Sequence, residues 1–202
     1  LPFDKNVKPN GTPTSVRSSD SLGFLKNIHP ELARIWDFAT EFSCQMNLAS
    51  KNGLRLPPQL MFNAMTSVMY RLLDMAFAVG SLDETVRLGL LAFSSSVFLQ
   101  WRKARAPYPY FPAMYRDSLT ASSSLDAPPG LWLWLLTMGA ISVFDEPDNS
   151  WLKPWFRFFV AACGVREQAW DEVKGILGSF LWIGLVHDEP GRQVVATMST
   201  IS

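Results

Sequence analysis

Two stretches of this chain limit its fold more than anything else in it. Leu88 to Leu99 and Leu131 to Phe144 contain no charged side chain. A helix that is apolar on every side is normally buried on every side. A membrane crossing needs about 20 apolar residues. Extending the second run backwards takes in Pro128, Pro129 and Gly130, so it reads as a buried core helix and not as a membrane span. The first run is preceded by Ser81-Leu82-Asp83-Glu84, a capping-box pattern, and followed by Arg102, Lys103 and Arg105. Acids at the start and bases at the end suit a helix dipole. This segment is expected to be the central helix.

The remaining helices follow from spacing. Pro30 opens a helix whose apolar positions Leu32, Ile35, Trp36, Ala39, Phe42 and Met46 form one stripe, with Gly53 closing it. A second helix starts at Pro57-Pro58, carries Met61, Met65, Val68, Met69, Leu72 and Ala76 at helical spacing, and stops near Gly80. Pro107 to Pro112 is expected to be an extended connection, with a modest helix from Ala113 to Ser123 after it. Ser150 is expected to cap a helix through Trp155, Phe156, Phe159 and Val160 that ends at Gly164, and another stripe runs from Trp170 to Leu181. Asp188-Glu189-Pro190-Gly191 is expected to open a last short helix or tail. No segment alternates strictly with β-branched enrichment. The expected class is all-α, an irregular multi-helix bundle of about seven helices around one central buried helix. Residues 1–21, rich in Pro, Asn, Ser, Thr and Lys, read as a flexible arm or linker, and 22–202 as the helical domain. The start, Leu1-Pro2-Phe3-Asp4, does not look like an initiator end, so the chain reads as a fragment.

Composition narrows the function classes. Eighteen basic residues balance eighteen acidic ones, which argues against a surface that grips phosphates. With 48% hydrophobic residues, eight Trp and fourteen Phe, the chain either packs a thick core or hides apolar surface against a partner. Cys44 and Cys163, each among apolar neighbours, are expected to be reduced core thiols, placing the protein in a reducing compartment.

Catalytic patterns are scarce. No P-loop, dinucleotide fingerprint, nucleophile elbow or zinc-protease motif is present. His29 reads as a helix-start residue, and His187, beside Asp188 and Glu189, as an exposed loop residue. Ser94-Ser95-Ser96 has no histidine close in sequence and is read as a place where helices approach closely. Asp145, Glu146 and Asp148 form an acidic knot; a metal-dependent helical enzyme is the weaker alternative there, a solvated helix end the plainer one. Met residues fill irregular gaps and also line adaptable surfaces. Core packing is their ordinary role; a ligand pocket between helices would take Met61, Met65, Met69, Phe98, Trp132 and Met138 as its walls.

The order of several segments adds a further indication. Leu56-Pro57-Pro58 through Tyr70-Arg71-Leu72-Leu73-Asp74, then Ser81 to Leu88 and Leu90-Leu91-Ala92-Phe93, make one half. Leu131 to Ala140, Pro154-Trp155-Phe156, Trp170 to Leu177, Phe180-Leu181-Trp182 and Asp188 to Gly191 make the other. Together they resemble the fungal-specific transcription factor domain, the helical middle region of zinc-binuclear-cluster regulators. The likeness covers about Leu54 to Gly191. It implies a nuclear, non-enzymatic regulatory domain that senses a small apolar effector or a co-regulator protein. DNA would be contacted only through a separate upstream domain, and zinc would be bound only there, since two cysteines cannot build the cluster. A structural homodimerisation module is the alternative reading. No cofactor is expected in this segment, and no membrane partner.

Overall fold

The computed structural model describes residues 22–54, 58–99, 110–122, 127–145, 148–166 and 169–199. Among them are eight α-helices and no strand: α1 (Pro30–Lys51), α2 (Pro58–Leu73), α3 (Leu82–Leu99), α4 (Phe111–Ser122), α5 (Pro129–Ser142), α6 (Asn149–Ala162), α7 (Trp170–Leu177) and α8 (Gly184–Ser199), with a short 3-10 turn, Gly23–Lys26, ahead of them. The class is therefore all-α. The arm expected over 1–21 lies outside the described residues, as do Arg102, Lys103, Arg105 and Pro107.

The two uncharged runs lie in the middle of the molecule. Residues 84–94 of α3 and 130–139 of α5 are buried without interruption. α3 packs on α1, α2, α4, α5 and α8, while α5 packs on α3, α6, α7 and α8. α3, the segment expected to be the central helix, thus shares the middle of the molecule with α5. They pack tightly at Gly89, where an added Cβ would stand 2.3 Å from Leu135 Cδ2. Tyr115 of α4 reaches the same place and donates its hydroxyl to Leu135 O at 2.9 Å.

Helix ends show where local rules held and where tertiary contacts replaced them. Gly53 and Gly164 have φ of 65° and 70°. Each closes its helix through paired carbonyl contacts, Leu54 N–H to Ala49 O and Val165 N–H to Val160 O. α2 ends at Leu73, short of the expected Gly80. The reason is α3: Arg87 donates to Leu72 O at 3.0 Å, and Glu84 accepts the Phe77 N–H at 3.3 Å. Ser81 does cap α3, accepting the Glu84 N–H at 3.1 Å. Glu84 does not reach back to complete the box; it forms a buried two-point ion pair with Arg87. α4 begins at Phe111, so Pro112 belongs to a first helical turn, where its missing N–H costs nothing, and not to an extended connection. Ser150 lies inside α6, and Asp148 takes the position before it. α7 stops at Leu177, leaving Phe180 and Leu181 buried in the turn that follows.

The largest correction concerns the C-terminal segment. α8 starts at Gly184 and runs through Pro190 to Ser199. A proline inside a helix costs about 3 kcal/mol. Burial of Val186, His187, Gly191, Val195 and Met198 along one face offsets it. Gly191 is required there: an added Cβ would meet Trp182 at 2.7 Å and Trp170 at 2.9 Å. Cys44 is a second correction. Helical phase turns it to the exposed side of α1, while Cys163 is half-buried at the end of α6, and no disulfide joins them.

Candidate functional site

Side chains from four helices converge on the turn between α7 and α8. Trp134 of α5 donates Nε1–H to Leu181 O at 2.7 Å. Asn47 of α1 donates to Trp182 O at 2.8 Å and accepts the Gly184 N–H at 2.9 Å. Lys174 of α7 donates to Asp188 at 2.6 Å, and Asp188 also accepts the Trp182 Nε1–H at 2.8 Å. Ser96 of α3 meets His187 Nε2 at 2.8 Å. His187 is therefore a fully buried helical residue and not an exposed loop residue. It lies between the rings of Phe93 and Trp182.

A serine, a histidine and an aspartate side by side invite a nucleophilic reading, and the hydrogen bonds argue against it. Ile183 donates its backbone N–H to His187 Nδ1 at 3.0 Å. Nδ1 is thus an acceptor and carries no proton, so the proton is on Nε2 and points at Ser96. Ser96 in turn donates to Phe93 O at 2.6 Å. A general base must accept the serine proton at Nε2, and here that nitrogen is the donor. Asp188 serves Trp182 and Lys174 and does not orient the imidazole. Burial holds the His187 pKa down at about 3, with Asp188 opposing it. The cluster is a neutral clamp that pins the start of α8.

The acidic knot lies at the α5–α6 corner. Asp148 accepts the Asp145 N–H at 3.1 Å and the Trp151 Nε1–H at 3.2 Å, with Arg116 at 3.9 Å. It fastens the corner; Glu146 lies outside the described residues. Among the described residues, no group of three or more His, Cys, Asp or Glu side chains is placed to hold a metal ion. No helix among them is long and apolar enough to cross a membrane. His29 accepts the Glu31 N–H at 3.3 Å and caps α1.

Four of the six residues picked from sequence as pocket walls have side chains among the described residues. Met65 and Met138 are fully buried, and Met69 is half-buried on α2. Trp132 is buried at the α5–α6 contact, its ring stacked on Phe159 at 5.8 Å. The side chains of Met61 and Phe98 lie outside the described residues. Met65 and Met69 are on α2, which packs on α3, whereas Trp132 faces α6.

An open cleft of about 480 Å³ lies elsewhere, between the end of α5, the start of α6 and the outer half of α8. Ala140, Ile141, Phe144, Pro190, Val194 and Met198 give it apolar walls. Asp145, Asn149, Gln193 and Thr197 supply the polar groups. Sequence reasoning missed it because its walls are ordinary helix-end residues drawn from segments about fifty positions apart. The only local hint was the proline inside α8. Comparison with protein-family models, curated proteins and solved structures gives no match to this chain.

Proposed function

We propose that this chain is a regulatory domain of the fungal transcription factor type, which acts by binding a small apolar effector and not by catalysis. The observation that carries the reading is the cleft of about 480 Å³ between α5, α6 and α8. Its size falls in the range of roughly 300–1,000 Å³ typical of small-molecule sites, and both apolar and polar side chains line it. α8 forms one wall of the cleft, and its first turn is held by the clamp around His187. A ligand that binds one placement of α8 better than another would shift the balance between them. A co-regulator contacting α8 would read that balance. The proposed location is the nucleus, with DNA contacted through a separate domain.

Thermal-shift measurements across a library of small apolar metabolites test the reading, with Val194→Trp as the blocked variant. The expected result is stabilisation of the wild type by some members and none of the variant. The effective compounds should also change reporter output when the chain is fused to an unrelated DNA-binding domain. A library that stabilises neither protein, or both equally, would refute it.

A further inference from the structure

α6 is apolar on two sides. Leu152, Phe156, Phe159 and Val160 are buried, and the helix packs on α5 and α8. Trp151, Pro154, Trp155, Phe158, Ala161 and Ala162 fall on a second arc, about 120° wide at the helical repeat. Phe158 is 63% exposed, Pro154, Ala161 and Ala162 are exposed, and Trp151 and Trp155 are half-buried. The rings on this arc are held in place. Trp151 donates Nε1–H to Asp148 at 3.2 Å, and Trp155 and Phe158 lie against Phe159 at 6.2 and 5.1 Å. Aromatic side chains already fixed by neighbours suit an interface, since docking costs them little freedom. No residue of the arc is charged. Arg157, on its border, donates Nε–H to Met198 O at 3.1 Å and is turned to α8.

We infer that α6 is a dimerisation helix, which joins two copies of this chain in antiparallel contact across Trp155 and Phe158. The spacing of the arc is the reason for choosing a second copy. Trp151, Trp155, Phe158 and Ala162 recur at intervals of four, three and four, the seam of a helix pair. The intervals read the same in reverse, as a two-fold axis demands. Laid antiparallel on its copy, α6 sets Trp151 opposite the second copy's Ala162 and Trp155 opposite its Phe158. Each end then matches a large side chain with a small one, and the centre matches two aromatic rings. An uncharged arc meets no like charge when paired with itself, and offers an acidic or basic partner nothing to recognise. The exposed parts of the six side chains amount to roughly 300–400 Å². Two copies and their polar rim bring about 1,000 Å², the low end for a specific interface, so the dimer is reversible. None of the six lines the cleft, and the inference does not rest on the effector reading.

Sedimentation velocity of the full chain over about 1–300 µM tests this, the span in which a small interface dissociates. Reductant is present, so that the exposed Cys44 cannot link copies. The wild type is expected to pass from one chain to two across that range. Phe158→Asp and Ala162→Lys alter exposed positions and should keep the wild-type melting temperature. Each is expected to weaken dimerisation roughly tenfold or more. Leu185→Asp on α8 and Tyr70→Asp on α2 change side chains that are at least as exposed, and should leave the dimer intact. Phe158→Asp mixed with Trp155→Lys should recover association, because one central contact then becomes an ion pair. A wild type that stays monomeric throughout would overturn the inference and leave the arc to a different partner. A dimer that survives both α6 variants, or that Leu185→Asp or Tyr70→Asp breaks, would overturn it as well. A mixture of the two folded variants that associates no better than either alone would overturn the antiparallel contact.

Discussion

The buried imidazole makes stability depend on pH in a way that one substitution isolates. In the folded protein His187 Nδ1 accepts the Ile183 N–H, and the ring is sealed from water. Adding a proton would set two N–H groups against each other and charge a group that has lost its hydration. The folded pKa is accordingly about 3, against an ordinary value of 6.5. Below pH 6.5 the unfolded chain binds a proton that the folded chain refuses. The His187 contribution is therefore intact above pH 6.5 and is lost progressively as pH falls towards 3. The slope is about 1.4 kcal/mol per pH unit. At pH 4.5 the loss is roughly 3 kcal/mol, a large share of the 5–15 kcal/mol that holds a typical domain together. His187→Gln keeps a donor for Ser96 and cannot titrate. Urea unfolding followed by circular dichroism, at steps from pH 7.5 to 4.5, measures both proteins. Carboxylates elsewhere affect the two alike, so the stability of the wild type minus that of His187→Gln is the informative quantity. It should fall by roughly 3 kcal/mol across the range. A difference that stays flat would show that the imidazole is protonated within the fold, and the neutral clamp would have to be abandoned.

Other expected outcomes separate local rules from packing, each read from urea midpoints or melting curves. Gly89→Ala should cost about 1–3 kcal/mol, because Leu135 leaves no room for a methyl group. Gly175→Ala, on an exposed helical position with nothing within 4 Å, should gain about 0.5–1 kcal/mol. Trp36 is fully buried, and its Nε1–H has no acceptor among the described residues, whereas Trp134 spends its own on Leu181 O. Trp36→Phe should therefore be the milder of the two Trp→Phe changes by about 1–3 kcal/mol, the cost of an unmade buried hydrogen bond. Equal losses would mean that Trp36 is bonded to an internal water. Arg87→Leu leaves Glu84 buried without its counter-charge and should cost about 3–5 kcal/mol, while the double change with Glu84→Leu should be milder than Arg87→Leu by itself.

Much of the fold was legible in the residues because it follows from short-range chemistry. The uncharged runs announced two buried helices, and α3 and α5 are those helices. Spacing of apolar residues located the other helices, and glycines at positive φ marked ends at Gly53 and Gly164. Where a boundary was misplaced, a distant group had taken over the work of the local one. Arg87 and Glu84 ended α2 early, and burial along one face carried α8 through Pro190.

The candidate site belongs to the other class. A histidine followed by two acidic residues looks solvated in a linear reading. Only the packing of α8 against α3 turned His187 inward onto Ser96, ninety-one positions away. The turn at 181–184 and its clamps from Asn47, Trp134 and Lys174 leave no trace in any window of sequence. The cleft needs the end of α5, the start of α6 and the outer half of α8 in one place. Periodicity reports which face of a helix avoids water, since that preference is carried by the helix alone. It does not report which helices meet, and a pocket or a buried hydrogen bond exists only where two of them do.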